Sequence, residues 1–258
     1  MPILLLIRHA TNDFVKTGRL PGRTPNIHLN DEGRKQAEAL GQALRNRPLD
    51  TIYSSPLERA IETAWHIAAP HGLPIHIRAA LADTDNGDLT GKEIKRLSED
   101  EATRALWQVV VETPSQARFP NGESMLDMQR RVVAALETII ADHPDIELPA
   151  EANDQSSGAD SQEPADHGGK AGESEQRHRA PGKGQVDGAA APSKRPQVVA
   201  VVAHADVIKA ALAYYLGMPF DNFQRLGVSP ASISTVMIGA DEKTGRRHIL
   251  VMNVNQAS

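Results

Sequence analysis

Short, uniformly apolar runs alternate along the chain with longer segments in which apolar residues recur every three or four positions. A uniformly apolar run predicts a strand that is covered on both faces, as in a parallel sheet. Two further runs, residues 232–238 and 248–254, flank a polar turn and predict a hairpin. The runs that predict single strands are residues 3–7, 51–54, 75–77 and 198–203.

The segments with a period of three or four residues predict amphipathic helices, and most of them follow a residue that is typical of a helix N-cap. Asn30, Ser124 and Asp206 each precede such a segment, and Ser55 precedes one whose first position is a proline. A further helix is predicted around residues 102–112. Strands that alternate with helices in this order predict an α/β fold, a three-layer sandwich with a mostly parallel central sheet and helices on both faces.

One long segment, residues 147–197, has a composition unlike the rest of the chain. It contains no Phe, Trp or Tyr, and its only large aliphatic residues are Leu148 and Val186. Such a segment buries too little apolar surface to offset the entropy lost on ordering, which predicts a disordered insertion. The remaining residues suffice for one α/β domain, so we predict that residues 1–258 form a single domain interrupted at 147–197.

Composition and charge exclude several classes of protein. The 258 residues carry a formal net charge of −5, which does not favour a nucleic-acid partner. Cysteine is absent, so disulfides, thiolate metal sites and cysteine nucleophiles are excluded. The apolar runs are too short to span a bilayer, and the N-terminal run ends at Arg8 without the basic region of a secretory signal. We therefore expect a cytoplasmic protein with no membrane partner.

Charged and imidazole side chains follow three of the predicted strands. The first strand runs into Arg8 and His9, the second is followed by a helix whose first turn contains Arg59, and the strand at 198–203 runs into His204. Because ligands in open α/β sheets bind beyond the carboxyl ends of the strands, these four side chains are expected at one edge. Guanidinium groups, imidazoles and helix N-termini together favour an anion there.

Six short motifs around these residues occur in an order that resembles the histidine phosphatase superfamily, whose members have a phosphoglycerate mutase-like fold. The resemblance covers nearly all of the chain outside the segment 147–197, and the ordered series carries it rather than any single dipeptide. The motifs are LLIRHAT at residues 5–11, LNDEGRKQA at 29–37, YSSPLERAIETA at 53–64, LADTDNGDLTG at 81–91, PNGES at 120–124 and VAHA at 202–205.

The resemblance implies a role for each residue that matches a family motif. His9 is the expected nucleophile, which attacks phosphorus and forms a phosphohistidine. Asp83 is the expected proton donor to the leaving oxygen, and because the ordinary pKa of an aspartate is about 3.9, that role requires an upward shift. Such a mechanism needs no metal and no cofactor. The expected phosphate ligands are Arg8, Arg59 and His204, and the candidate substrate contacts are Thr11, Arg23 and Glu123.

The chain departs from the family pattern at several positions. Ala10 and Ala205 follow the two histidines where the family has glycine, which would strain the backbone if either position required a positive φ. Asp83 replaces the more common glutamate, so the acid is one methylene shorter. Val15 replaces a phosphate-contacting asparagine, and Asn86 stands where mutases have an aromatic residue.

Three functions are compatible with this set of residues. The first is hydrolysis of a small phosphorylated metabolite, and the alternative is a cofactor-dependent phosphoglycerate mutase, in which an alcohol rather than water accepts the phosphoryl group. Mutases of this family carry paired arginines in a long segment after the acid motif, whereas residues 92–120 contain no Arg-Arg pair, which favours hydrolysis. A non-catalytic phospholigand-binding protein is disfavoured because His9 is present and the acid is at most shortened.

Overall fold

A computed structural model of the chain describes residues 2–147, 194–241 and 244–257. The chain divides into two units. The first is built from residues 1–146 and 195–258, and the second consists of residues 147–194. The functional site described below belongs to the first unit.

All of the predicted strands form, and helices lie between them in the predicted order. The strands are β1 (Ile3–Arg8), β2 (Thr51–Ser54), β3 (Ile75–Ile77), β4 (Ile146–Glu147), β5 (Lys194–Arg195), β6 (Val198–Ala203), β7 (Ile233–Ala240) and β8 (Arg247–Gln256). The helices are α1 (Asp13–Lys16), α2 (Asp31–Leu44), α3 (Glu58–Ala68), α4 (Ile94–Leu97), α5 (Glu101–Glu112), α6 (Met125–Ala141) and α7 (Ala205–Tyr215). Short 3-10 helices are formed by Ala69–His71, Ala79–Leu81, Gly87–Leu89, Pro114–Gln116 and Phe220–Arg225.

Six strands form one mixed sheet in the order β3–β2–β6–β1–β7–β8. β6 lies between β1 and β2 and pairs with both in parallel, and β3 extends the sheet in parallel beyond β2. β7 and β8 form the predicted hairpin, and β7 pairs antiparallel with the free side of β1. The prediction of a mostly parallel central sheet is confirmed. β4 and β5 pair separately with each other.

Helices cover both faces of the sheet because its inner strands are apolar in both directions. Along β1, Leu5 and Ile7 pack in the core under α2 and α3, whereas Leu4 and Leu6 pack in the core under α6 and α7. Burial of each such side chain stabilises the fold by roughly 1.5–3 kcal/mol. The two cores confirm the predicted three-layer α/β sandwich. In the described ranges, no helix is long and apolar enough to cross a membrane.

Most of the predicted insertion, residues 148–193, lies outside the described residues, but its last residues belong to the folded domain. The Arg195 guanidinium donates two hydrogen bonds to the Asp50 carboxylate at 2.7 and 3.0 Å, which holds the pKa of Asp50 below its ordinary value. The backbone carbonyl of Gln197 accepts a hydrogen bond from Ile3 at 2.8 Å. The folded sequence therefore resumes a few residues earlier than the composition predicts.

Two of the four predicted N-caps are confirmed, and two are wrong. The side chains of Asn30 and Ser124 accept backbone hydrogen bonds in the first turns of α2 and α6. Ser55 is not the N-cap of α3, which begins only at Glu58 and has Leu57 at its N-cap, and the Ser55 hydroxyl bonds to a histidine of the site described below. Asp206 lies inside α7 rather than before it, and its carboxylate pairs with a lysine one turn further along the helix.

Parallel pairing brings the carboxyl ends of β1, β2 and β6 to the same edge of the sheet. In the register of the sheet, Arg8 lies beside Ala203 and Ser54 lies beside Val202. The residues that follow these three strands therefore emerge next to each other, as the strand-end rule predicts.

α2 fixes the loop that follows β1 through a close approach at one glycine. A Cβ at Gly33 would overlap the backbone carbonyl of Thr11, so the helix can reach this distance only with glycine there. Three residues further along, Gln36 Oε1 accepts a hydrogen bond from the Thr11 N–H at 2.9 Å. The glycine and the glutamine of the motif at 29–37 together hold this loop in place.

Candidate active site

The ends of β1 and β6 place two buried imidazoles side by side. The ring centroids of His9 and His204 are 5.1 Å apart, and both residues are almost completely buried. The His9 N–H donates to the Ala203 carbonyl at 2.9 Å, which extends the parallel ladder by one residue beyond β1. The two histidines predicted at strand ends therefore meet at the carboxyl edge of the sheet.

The tautomer of His9 is fixed by its own main chain. Nδ1 lies 2.7 Å from the Ala10 carbonyl, which can only accept, so Nδ1 carries the proton and Nε2 carries the lone pair. Burial, followed by the charges of His204, Arg59 and Arg8, lowers the pKa of His9 well below its ordinary value. The ring is therefore neutral near pH 7 and has Nε2 as its nucleophilic atom.

A serine orients His204. Ser55 Oγ accepts the N–H of Leu57 at 3.3 Å, so its single hydroxyl proton is available to His204 Nε2, which is 2.7 Å away. His204 then carries its own proton on Nδ1, a buried atom that has no hydrogen-bond partner among the described residues. Burial, followed by the charges of Arg59 and Arg8, lowers the pKa of His204 well below its ordinary value. This ring is therefore a neutral hydrogen-bond donor.

Two guanidinium groups lie beside the imidazoles, and each is anchored to a backbone carbonyl. Arg8 Nη1 donates to Val228 at 2.7 Å, and Arg59 Nη2 donates to Gly22 at 2.8 Å. Arg8 Nε and both Nε and Nη1 of Arg59 are buried, with no partner in the part of the chain that the structure describes. Burying an N–H without an acceptor is costly, so these groups suit an anion with several acceptor oxygens.

One carboxyl group, that of Asp83, borders the same space. Its Oδ1 accepts the Thr84 N–H at 2.9 Å, its Oδ2 accepts from Arg59 Nη2 at 3.0 Å, and Oδ2 lies 3.6 Å from Nδ1 of His204. Burial raises the pKa of Asp83 above its ordinary value, and the opposing effects of Arg59, Thr84 and Arg8 do not cancel that rise. This carboxyl group therefore has the upward shift that a proton donor requires.

The backbone around Asp83 is held by a clamp that the sequence analysis did not find. Arg131 of α6 donates to three carbonyls at residues 80–83, at 2.8–2.9 Å, and to the Glu123 carboxylate at 2.7 and 2.9 Å. Arg23 donates to the Asp83 carbonyl at 3.0 Å and pairs with Glu123 at 3.0 Å. Burial alone would raise the pKa of Glu123, but these bonds, led by those from Arg131, lower it. Glu123 is therefore an ionised part of the clamp.

The three candidate substrate contacts lie outside the lining of the cavity at this site. Thr11 is buried and has its N–H on Gln36, while Arg23 and Glu123 are bound to each other beneath the Asp83 loop. Their contacts hold the loops that carry His9 and Asp83, and their role as substrate contacts stays a prediction.

Alanine after each histidine causes no backbone strain. Neither Ala10 nor Ala205 has a positive φ, so the requirement for glycine does not arise. The Ala10 N–H donates to Thr63 Oγ1 at 3.0 Å, and the Thr63 hydroxyl donates to the Arg59 carbonyl at 2.7 Å. This chain of bonds links the His9 loop directly to the helix that carries Arg59.

A cavity of about 440 Å³ lies at this cluster, and Arg8, His9 and Asp83 form part of its wall. Asp206 and Lys209 could have been identified from the sequence. Both follow His204 within one predicted helix, and because they are three residues apart they lie on the same helix face. Trp107 packs against the core and also lines the cavity. Among the lining residues that the sequence analysis did not propose for the site are Trp107, Asp206, Lys209 and Gln224.

The donors at the site are of the kind that bind oxyanions. Within residues 2–147, 194–241 and 244–257, no group of three or more His, Asp or Glu side chains is arranged to hold a metal ion. Guanidinium and imidazole N–H groups instead converge on one space, and they match the oxygens of a phosphate group.

Comparison with known proteins supports the resemblance noted in the motifs. Residues 4–148 and 145–250 match the histidine phosphatase superfamily (branch 1). The chain is 34% identical over 142 residues to phosphoserine phosphatase 1 of Hydrogenobacter thermophilus, an alignment that covers 54% of this chain and 65% of that protein. It is 28% identical over 229 residues to glucosyl-3-phosphoglycerate phosphatase of Mycolicibacterium vanbaalenii, covering 87% and 78% of the two chains.

A third relative has a different printed activity. Probable phosphoglycerate mutase GpmB of Salmonella arizonae is 32% identical over 136 residues, which cover 52% of this chain and 61% of that protein. For the first and third of these relatives, the match therefore spans somewhat less than two thirds of their length.

Solved structures share the fold along the whole chain. Mycobacterial hydrolase 1 superimposes with a TM-score of 0.72 at 23% identity and covers 100% of both chains. A mycobacterial glucosyl-3-phosphoglycerate phosphatase superimposes with a TM-score of 0.68 at 24% identity and covers 99% of both chains. These structures show the same fold, and the family match over most of the sequence establishes that the chain belongs to branch 1 of the histidine phosphatase superfamily.

Proposed function

We propose that this protein is a phosphomonoester hydrolase that works through a phosphohistidine on His9. The observation that carries the proposal is the lone pair on Nε2 of a neutral, buried imidazole beside four buried donor nitrogens of Arg8, Arg59 and His204, which have no hydrogen-bond partner among the described residues. That arrangement provides a nucleophile and a receptor for the phosphoryl oxygens in the same place. The phosphatase names of two relatives add support for hydrolysis.

In the first step, Nε2 of His9 attacks phosphorus and the bond from phosphorus to the ester oxygen breaks. The Arg8 and Arg59 guanidinium groups and Nδ1–H of His204 bind the three transferred oxygens, where charge is greatest during the transfer. Asp83, whose pKa burial raises in the direction that a proton donor requires, gives its proton to the leaving oxygen. The products of this step are the free alcohol, phosphorylated His9 and ionised Asp83.

In the second step, water replaces the alcohol. The Asp83 carboxylate takes a proton from the water as its oxygen attacks phosphorus, and the bond from phosphorus to Nε2 breaks. Phosphate leaves, and His9 and Asp83 return to their starting protonation states. The hydrogen bond from Nδ1 to Ala10 keeps the ring in one orientation throughout both steps.

The shape and charge of the cavity favour hydrolysis over mutase activity, although one relative has a mutase name. Three arginines lie between residues 92 and 120, and none of them lines the cavity. Arg96 pairs with Glu93, Arg104 donates to backbone carbonyls, and Arg118 pairs with Asp127. Within the described residues, the segment therefore supplies no paired cations for a substrate carboxylate.

The proposed substrate is a small phosphorylated metabolite. A cavity of about 440 Å³ has room for a leaving group of metabolite size beyond the phosphate. A non-catalytic phospholigand-binding protein would not need the shifted pKa values of His9 and Asp83, which serve a nucleophile and an acid.

We expect His9→Ala to lower phosphate release from p-nitrophenyl phosphate by at least ~10³-fold, because the attacking atom is lost. The exposed His248→Ala is the matched control and should retain full activity. Free phosphate and isomerised phosphoglycerate are measured together after incubation with 3-phosphoglycerate. Turnover retained by His9→Ala removes His9 as the nucleophile, and isomerisation without phosphate release makes the protein a mutase.

We expect Asp83→Asn to lower kcat/KM by about 10²- to 10⁴-fold for an alkyl phosphate, because the alkoxide then leaves without a proton. The loss for p-nitrophenyl phosphate should be less than about tenfold, since nitrophenolate leaves readily without one. Asp88→Asn, at an exposed position on the same loop, is the control. Equal losses for both substrates in Asp83→Asn would contradict the role of general acid.

We also expect the neutral state of both imidazoles to appear in the pH dependence of stability. The pKa values of His9 and His204 are lowered by folding, so the unfolded chain binds more protons below about pH 6.5, and stability falls as pH falls through that value. As pH falls from 7.5 to 5.5, each ring should lower the free energy of unfolding by about 1.4 kcal/mol.

Urea unfolding in phosphate-free buffers measures this effect. The double variant carrying His9→Gln and His204→Gln should lose about 3 kcal/mol less than the native protein over the same pH interval. The variant His248→Gln should match the native protein. An unchanged pH slope in the double variant would mean that these rings are not held neutral by the fold.

A further inference from the structure

The lining of the cavity contains a second polar group of residues, Asp206, Lys209 and Gln224, which we call the lysine cluster. Lys209 Nζ donates to Gln224 Oε1 at 3.0 Å and lies 3.5 Å from Asp206 Oδ1. The Lys209 side chain is mostly buried, and it also lies over the Phe223 ring. The mechanism proposed above does not use any of these residues.

The lysine cluster is close to the reacting groups. Asp206 and Lys209 lie in the first turns of α7, directly after His204. Gln224 lies in the 3-10 helix Phe220–Arg225. All three side chains line the cavity together with Arg8 and His9. Burial raises the pKa of Asp206, and the nearby charge of Asp83 adds to that rise. A leaving group attached to phosphate at His9 would therefore extend toward these side chains.

Another part of the lining, which we call the Trp107 wall, is apolar and partly exposed. It consists of Trp107 and Val111 of α5, Ile94 of α4 and Leu226. Ile94 is 39% exposed and Val111 is 47% exposed, so their side chains are accessible to a bound molecule. An indole and branched aliphatic groups offer a flat surface for the carbon skeleton of a bound molecule.

We propose that the lysine cluster and the Trp107 wall bind the sugar of a sugar phosphomonoester. This inference rests on the proposed hydrolase function and specifies its leaving group. Carboxylate, ammonium and amide groups together can accept from and donate to neighbouring hydroxyls, while the indole packs against the C–H face of the ring.

The balance of charge favours a neutral leaving group over a charged one. The Lys209 ammonium and the Asp206 carboxylate already offset each other, so a leaving group with a carboxylate or an ammonium must compete for one of them. The group then left without a partner in a mostly buried place carries a desolvation cost. Hydroxyls can bond to Asp206, Lys209 and Gln224 without separating the pair.

The guanidinium of Arg19, which is partly exposed, does not change this balance. Arg19 lines the cavity, but its Nη2 lies 3.5 Å from the Glu93 carboxylate, and half of its side chain is exposed. A second anionic group on the substrate would therefore meet an arginine that is already paired and well hydrated.

The test compares two substrates that differ only in hydroxyls and the ring oxygen. Glucose 6-phosphate and cyclohexylmethyl phosphate have the same ring size and the same primary ester linkage. We expect the native enzyme to have a kcat/KM at least ten times higher for glucose 6-phosphate. Phosphoserine and phosphoethanolamine serve as charged comparison substrates and should be poorer than glucose 6-phosphate.

The variants Asp206→Asn and Lys209→Met test the cluster itself. Each should lower the ratio of kcat/KM for glucose 6-phosphate over cyclohexylmethyl phosphate by about ten- to hundredfold, as expected for loss of hydrogen bonds to a charged partner. Using the ratio removes any effect that the variants have on the phosphate ligands or on the amount of folded enzyme. Gln108→Ala, at an exposed position beside Trp107 on α5, is the control and should leave the ratio unchanged.

Binding to the His9→Ala protein provides a readout that does not depend on turnover. By calorimetry, glucose 6-phosphate should bind at least ten times more tightly than cyclohexylmethyl phosphate, and Lys209→Met should remove the difference. Equal binding of the two esters, an unchanged ratio in both cluster variants, or a preference for phosphoserine or phosphoethanolamine would each overturn the sugar assignment. His9-dependent hydrolysis of cyclohexylmethyl phosphate alongside any of these results would leave the proposed hydrolase function intact, whereas turnover independent of His9 would overturn that function separately.

Discussion

The chemistry proposed for this protein depends on the burial of two imidazoles beside two guanidinium groups. Burial and the positive charge of Arg8 and Arg59 keep His9 and His204 neutral, so one ring retains a lone pair and the other retains a single donated proton. The same burial leaves several N–H groups of the arginines without acceptors in the described structure. A phosphate dianion would offset both the buried positive charge and the lack of hydrogen-bond acceptors, because it supplies about two negative charges and several acceptor oxygens.

The rest of the fold holds these groups at fixed positions. Parallel pairing of β1 and β6 sets the separation of the two histidines, and the close approach of α2 at Gly33 fixes the loop after His9. Arg131 donates hydrogen bonds to three backbone carbonyls at residues 80–83. These bonds fix the Asp83 carboxyl group relative to Arg59. Such preorganisation means that little rearrangement is needed as charge develops on the transferred phosphoryl group.

The sequence predicts the structure best where a short stretch of residues decides the local conformation. Apolar runs predict β1 and β6, the side chain of Asn30 predicts the start of α2, and the strand-end rule brings His9 and His204 together. The prediction failed for Ser55 because α3 begins three residues later, at Glu58, and the Ser55 hydroxyl bonds both to the Leu57 N–H and to a distant histidine. A local pattern of residue types shows neither the exact start of a helix nor a distant partner of a side chain.

Contacts between distant segments account for the remaining omissions. Arg131 lies on an ordinary amphipathic helix, and the carbonyls it binds are about fifty residues away along the chain. Trp107 and Gln224 line the cavity from separate helices. In the sequence, a tryptophan is typical of a packing position and a glutamine of a surface position, so neither residue type indicates a site. The motifs therefore identify the residues of the proposed reaction, whereas the proposed leaving-group side of the cavity could be recognised only in the fold.

Trapping the covalent intermediate tests the account most directly. The native protein is mixed rapidly with p-nitrophenyl phosphate, quenched in alkaline denaturant, and analysed by peptide mass spectrometry while the burst of nitrophenolate is recorded. The account predicts a burst of about one equivalent per chain and a phosphoryl group on His9 that is stable in alkali and lost in acid. Turnover without a burst or a phosphorylated peptide, or a phosphoryl group on any other residue, would contradict it.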